Sequence, residues 1–158
     1  HTLKPNRLEA ELLSGVAIHN DDDLRRAAKA LLDTGLHRVF ISLGTQGVFA
    51  ADHTQDVWYP CCPAQMRSAT GAGDAFLGGT LSGLVLGLPF QKGSSDPAFG
   101  ASPLASAAEL GALCAGMAVE DEDSIALGVT RESILARCRG LGCAGPLLSA
   151  LQEAANNV

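Results

Sequence analysis

The sequence predicts an α/β fold. Capped helical stretches alternate with short apolar strand segments. Hydrophobic residues make up 47% of the 158 positions and charged residues 18%, enough for a real core. A small-residue turn, Gly71-Ala72-Gly73, also opens a long apolar run that ends near Leu88. Aromatic residues are only 4%, so the core must be built from Ala, Leu and Val. The length fits one domain at most.

Taken in order, His1–Lys4 reads as the end of a strand and Pro5-Asn6 as the turn after it. Leu8, Leu12 and Leu13 mark one face of a short helix that Gly15 ends. Asn6 and Glu9 share one side of its first turn, and Asn at the N-cap with Glu three residues on is a capping pair. Asn20 opens a second helix that runs to about Leu32. Asp21, Asp22 and Asp23 suit its positive end and read as structural. After Gly35, R-V-F-I-S-L (38–43) reads as a buried strand, Gly44-Thr45-Gln46-Gly47 as a turn, and V-F-A-A as a second strand. Asp56–Pro60 is a third, antiparallel edge strand, because Pro60 cannot continue a central one.

Ala75–Leu88 reads as a buried helix, with Thr70 a good N-cap before it. Residues 91–103 are rich in Gly, Ser and Pro and read as a flexible surface insertion. Leu104–Val119 is an alanine-rich helix whose small residues allow close packing. Glu120-Asp121-Glu122-Asp123 then places four acids near a helix C-terminus, where the dipole disfavours them. Thr130–Arg139 and Leu147–Asn156 close the chain as helices.

A net charge of -6 argues against a general nucleic-acid or membrane-surface binder. No apolar run is long enough to span a bilayer, and no signal peptide is visible. Cys61, Cys62, Cys114, Cys138 and Cys143 lack C-x-x-C spacing and read as reduced thiols of a cytoplasmic protein. His1, His19, His37 and His53 are scattered and form no metal-binding pattern.

The chemistry concentrates in A-T-G-A-G-D-A-F-L-G-G, Ala69 to Gly79. First-turn N–H groups of a helix lack internal partners and carry the positive end of the dipole. Glycine lets phosphate approach them closely. An acid there would repel a merely bound anion, but fits a base that takes a proton from an attacking hydroxyl. The competing reading is local: an acid in a first helical turn is favoured with no chemistry at all.

This stretch closely resembles the C-terminal signature of the ribokinase-like (PfkB) sugar and nucleoside kinases, written D-T-T-G-A-G-D-x-F. The resemblance implies that Asp74 is the catalytic base and that Gly71, Ala72 and Gly73 form the anion hole beside Thr70. Asn6 and Glu9 match the family's N-x-x-E motif, which organises Mg²⁺ and phosphate. Gly44, Thr45 and Gly47 resemble its G-x-x-G nucleotide loop. Two positions depart from the pattern: Ser68 and Ala69 replace the leading Asp and Thr. That Asp commonly helps bind a monovalent cation, and Ser68 offers no carboxylate for it.

The implied cofactors are ATP and Mg²⁺, and the implied partner is a small sugar or nucleoside. H-T-L-K-P-N is similar to the T-L-K-P stretch of pseudouridine kinases, with ribokinase- and fructokinase-like acceptors as alternatives. The implied fold is the C-terminal portion of a doubly wound sheet, residues 1–158, without its lid and first strands. Pairing with an N-terminal half, or a homodimer, would then cover the open edge. The rival readings are a non-catalytic nucleotide-binding module and one part of a bifunctional nucleoside-metabolising protein.

Overall fold

The computed structural model describes residues 1–123 and 125–156. Two compact units emerge: His1–Tyr59 with Gly93–Ser95, and Pro60–Lys92 with Asp96–Val158.

The first unit is a four-stranded sheet in the order β1-β2-β3-β4, with helices between its first two strands. β1 (Thr2–Leu3) pairs in parallel with β2 (Arg38–Ser42), and α1 (Arg7–Ser14) and α2 (Asp21–Leu32) make the crossover. β3 (Val48–Asp52) and β4 (Asp56–Tyr59) then add antiparallel strands, the mixed pattern expected when hairpins extend a parallel pair. Local signals set the helix starts. Asn20 Oδ1 accepts the Asp23 N–H at 3.0 Å, and Asp23 also accepts the His19 N–H at 2.9 Å. The core is aliphatic: Leu24, Ala27, Ala28 and Leu31 of α2 meet Val39, Ile41 and Phe49 of the sheet. At the outer edge, Ser95 Oγ accepts the Trp58 N–H at 2.7 Å, which occupies a donor that an edge strand would otherwise expose.

One expectation fails here. α1 forms and ends at Gly15, but Leu8, Leu12 and Leu13 are 64%, 76% and 61% exposed. Their spacing is helical, yet Ala10 is the buried residue of α1, which packs on α2 and β2.

The second unit is helical: α3 (Ala72–Val85), α4 (Ala107–Ala118), α5 (Arg131–Gly140) and α6 (Pro146–Asn156). α3 and α4 approach closely because glycines face each other. A methyl on Gly83 would lie 2.6 Å from the Ala107 Cα, and one on Gly79 would lie 2.8 Å from the Leu110 carbonyl oxygen. From the other side, a methyl on Gly111 would lie 2.6 Å from the Phe76 carbonyl oxygen. Around this pair, Leu104, Leu110, Leu113, Cys138 and Leu147 are fully buried.

All five cysteines are free, and all but Cys61 are buried. Burial pushes the Cys62 thiol up to about 12 and those of Cys114 and Cys138 up to about 11.

Segment 91–103, read from sequence as a flexible insertion, carries a buried polar anchor. Lys92 Nζ donates to Glu109 Oε1 at 2.9 Å and to Ser102 Oγ at 3.1 Å, and also pairs with Asp96. Glu109 in turn accepts the N–H groups of Ala105 and Ser106 at 2.9 and 3.0 Å, closing the cap of α4. Burial opposes the Lys92 charge, but its bonds to Asp96 and Glu109 outweigh that and raise its pKa. Burial likewise opposes ionisation of Asp96, and its bonds to Lys92 and Ser102 outweigh it and lower the carboxyl.

Gly111→Ala should destabilise the second unit by about 1–3 kcal/mol through overpacking. Gly78→Ala, where an added methyl meets nothing within 4 Å, should stabilise it by about 0.5–1 kcal/mol through helix propensity. Urea unfolding of the two variants measures both signs. Lys92→Met leaves the buried Glu109 and the half-buried Asp96 without their cation and should cost on the order of 3 kcal/mol. The raised lysine contributes stability that is lost as pH rises above its ordinary 10.5 through its folded value. The lowered Asp96 contributes stability that is lost as pH falls below its ordinary 3.8. Unfolding midpoints across pH should therefore fall at both ends in the wild type and fall less in Lys92→Met.

Candidate functional site

In the second unit, α3 begins at Ala72, one residue later than an N-cap at Thr70 would place it. The cap is Gly71, at φ 84° and ψ -15°, with no side-chain cap bond. That left-handed backbone favours glycine and turns the chain abruptly into the helix. Thr70, expected as the cap, instead donates its N–H to Ser68 Oγ at 3.2 Å. The first helical bond of α3 runs from the Ala75 N–H to the Gly71 carbonyl at 2.9 Å. The N–H groups of Ala72, Gly73 and Asp74 therefore have no acceptor within their own helix. Asp74 is exposed in this first turn, and Gly71, Ala72 and Gly73 are half-buried beside it. Thr70, Gly71, Ala72, Gly73 and Asp74 thus share one turn, with backbone donors and a carboxylate side by side.

A cavity of about 760 Å³ opens along α3. Gly71 and Asp74 belong to its wall, together with Gly78, Leu81, Val85 and Ile134. The lining away from Asp74 is mostly apolar. Such a cavity is of the size that takes an organic ligand with a few polar groups.

In the first unit, Asn6 and Glu9 form a reciprocal capping box. The Glu9 N–H donates to Asn6 Oδ1 at 2.9 Å, and the Asn6 N–H donates to Glu9 Oε2 at 2.8 Å. Both side chains are exposed. Asn6 bridges in parallel to Ser42, and the Ser42 N–H donates to the Pro5 carbonyl at 2.9 Å. The start of α1 therefore sits at the carboxyl end of β1, beside the carboxyl end of β2. Gly44, Thr45 and Gly47 follow directly from β2 at the same end. Gly44–Gln46 forms a 3₁₀ turn closed by the Gly47 N–H on the Gly44 carbonyl at 3.1 Å. Gly47 lies at φ 102° and ψ -142°, a conformation essentially restricted to glycine. Carboxyl ends of parallel strands are where open α/β sheets place their ligands. Asn6, Glu9 and the 44–47 turn belong to the first unit; the Asp74 turn belongs to the second.

Two features escaped the reading of the sequence. The cavity wall draws on Leu81 and Val85 of α3 and on Ile134 of α5, about fifty residues later, and none of them carries a motif. The Glu120 carboxylate accepts the Gln65 N–H at 3.0 Å and also pairs with Arg137. An acid at the end of α4 gave no signal of partners 55 residues before it and 17 after it.

Comparison with known proteins bears on the family and the fold. The model of the pfkB family of carbohydrate kinases matches residues 1–130. The chain is 41% identical over 93 residues to the pseudouridine kinase of Escherichia coli K12, covering 58% of this chain and 30% of that enzyme. It is 36% identical over 80 residues to the ribokinase of Staphylococcus aureus, covering 51% of this chain and 26% of the enzyme. Over 74 residues it is 35% identical to the deoxyribokinase of Salmonella typhi, covering 47% and 24%. Among solved structures, a sugar kinase from Clostridium perfringens superposes with a TM-score of 0.72 at 27% identity, covering 89% of this chain and 40% of that one. The ribokinase of Thermotoga maritima, at 23% identity and a TM-score of 0.64, shares the fold. The matches thus span less than half the length of these relatives. The family model covers well over half of this chain, and the chain belongs to the pfkB family of carbohydrate kinases.

Proposed function

We propose that this chain carries the phosphoryl-transfer machinery of an ATP-dependent kinase, acting on a primary hydroxyl of a sugar or nucleoside. Pseudouridine is the first choice of acceptor. The observation that carries the reading is the start of α3: three uncapped backbone N–H groups with the Asp74 carboxylate in the same exposed turn. Pseudouridine is favoured by the 41% identity to a pseudouridine kinase, above the 36% and 35% to the ribokinase and deoxyribokinase. The T-L-K-P start points the same way.

In this mechanism the acceptor hydroxyl lies against Asp74. Its oxygen attacks the γ-phosphorus of ATP as its proton passes to an Asp74 carboxylate oxygen. The bond from that phosphorus to the β,γ-bridging oxygen breaks, and ADP leaves. Charge on the transferring phosphoryl group meets the N–H groups of Ala72, Gly73 and Asp74, aligned with the helix dipole. Gly71, with no side chain, leaves that approach open. Within the first unit, the role assigned to Gly44, Thr45 and Gly47 is to receive nucleotide on their backbone, with Asn6 as a phosphate contact; within the second, Thr70 is assigned a phosphate contact beside Gly71.

Asn6 and Glu9 are together the proposed Mg²⁺ residues, with Glu9 supplying the carboxylate. That carboxylate commits Oε2 to the cap of α1, which leaves Oε1 for the ion or one of its waters. Among the described residues no cluster of three or more His, Cys, Asp or Glu side chains is placed to hold a metal. Mg²⁺ usually keeps several waters and is bound through one or two carboxylates plus substrate phosphates. Bound Mg²⁺ would neutralise phosphate charge. The Ser68 hydroxyl accepts the Thr70 N–H within the turn and brings no carboxylate for a monovalent cation.

A second reading, nucleotide binding without transfer, is favoured by Ser68, which brings a hydroxyl and no carboxylate to the turn. ADP release from ATP·Mg²⁺ separates the two over a panel of pseudouridine, uridine, adenosine, ribose and fructose. It should be run on this chain and on the full reading frame that contains it. Stimulation by one acceptor supports transfer; ATP binding with no stimulation by any supports the second reading. In whichever form turns over, Asp74→Asn should lower kcat by about 10²- to 10⁴-fold, the usual worth of a general base. Turnover within about threefold of wild type would remove Asp74 from that role.

A further inference from the structure

We propose that Glu120 is a positioning residue for the anion-binding turn, tying the strap Gln65–Ser68 to the end of α4 so that Gly71–Asp74 are held in place. The proposal rests on the reading of that turn as the phosphate site. It also gives a role to the acidic run that the helix dipole should disfavour.

The strap has no regular secondary structure, and it leads directly into Thr70 and Gly71. Its backbone is fastened at three donors. The Gln65 N–H donates to Glu120 Oε1 at 3.0 Å. The Arg67 and Ser68 N–H groups both donate to the Val119 carbonyl, at 2.7 and 3.1 Å. Ser68 Oγ then accepts the Thr70 N–H at 3.2 Å, which carries the restraint to the residue before Gly71. Farther back, Gly116 of α4 lets the chain lie close, since a methyl there would stand 2.7 Å from the Cys62 Cβ.

Glu120 can do this because it is itself held. Its second oxygen pairs with Arg137 of α5, and both side chains are at most 32% exposed. The Arg137 bond, and secondarily the Gln65 N–H, hold the Glu120 carboxyl below its ordinary value. The run is not uniform: Glu122 pairs with Arg67 at 3.4 Å, but that bridge is 80% and 61% exposed and is worth little. The backbone acceptor at the end of α4 and the half-buried Glu120 therefore carry the strap. Donors in an anion hole must be placed to within a fraction of an ångström, and a misplacement of about 1 Å can cost on the order of 10²-fold in rate.

The test compares Glu120→Ala with Glu120→Gln, which keeps an oxygen for the Gln65 N–H. Hydrogen exchange followed by mass spectrometry reads the 65–73 peptide directly. Loss of a charge-assisted bond should speed its exchange about tenfold in Glu120→Ala, while Glu120→Gln stays within about threefold of wild type. Exchange in 107–118 of α4 should not change. In the turnover assay, Glu120→Ala should lower kcat about tenfold with the KM for acceptor within about threefold, and Glu120→Gln should restore most of it.

Unchanged exchange in 65–73 overturns the proposal. So does acceleration spread equally over 65–73 and α4, which marks general loss of stability, and so does a Gln variant as impaired as the Ala one. The exchange readout needs no turnover. Failure of Asp74→Asn to lower kcat would remove Asp74 from the base role, and no turnover with any acceptor would remove the kinase reading; either outcome leaves the tether result standing.

Discussion

The close contact of α3 with α4 is the constraint on which the second unit depends. Two helices that meet through Gly79 and Gly83 on one side, and Ala107 and Gly111 on the other, can bring backbone against backbone. Larger side chains would hold the axes near the usual 8–10 Å separation. Close approach places the Phe76 and Leu110 carbonyls beside the opposing helix and removes most freedom of either helix to slide. The N-terminus of α3 is thus anchored by a long, tight seam that begins about one turn beyond Asp74. A charged or donor-rich helix end is useful for chemistry only if it does not move, and here its rigidity comes from the absence of side chains.

The two candidate groups reach their chemistry by different routes. At α1, the carboxylate and amide that would serve Mg²⁺ and phosphate also form the capping box, so a structural role and a chemical one share the same atoms. Glu9 can do both because a carboxylate has two oxygens and the cap uses one. At α3 the opposite holds. Thr70 stands aside, Gly71 takes the cap position without a side chain, and the first-turn donors stay open. A hydroxyl cap would ordinarily have been the more stable choice by roughly a few tenths of a kcal/mol over glycine. Its absence is the kind of local departure from good helix design that accompanies function.

What could be read in the sequence was what depends on near neighbours. Asn20 before Asp23, Asn6 before Glu9 and Thr130 before Ser133 all form the caps their spacing indicates. The apolar run Val39–Ile41 and the stop at Pro60 marked the sheet, because pleat and proline act over a few residues. The Gly-Ala-Gly-Asp turn was visible for the same reason. The misread features all turn on distant partners. Leu8, Leu12 and Leu13 have helical spacing, but which face of α1 is covered depends on α2 and β2. Lys92 looked like part of a polar insertion until Glu109, a turn into α4, proved to be its partner. Glu120 looked misplaced at a helix end, since no local rule reveals a backbone donor 55 residues away. Thr70 was misassigned by one residue, because a left-handed glycine competes with a hydroxyl for the cap.

The buried cysteines turn the second unit into its own reporter of breathing. A thiol with a pKa of about 11 is only about one part in 10⁴ thiolate at neutral pH, and alkylating reagents attack the thiolate. Cys114 and Cys138 are shielded by burial as well, so their modification requires the helices to part. Cys61 is exposed and can be labelled without any opening. Labelling of Cys114, whose Sγ faces Gly79 of α3, relative to that of Cys61 therefore reports opening of the α3–α4 seam, with no probe added to the chain.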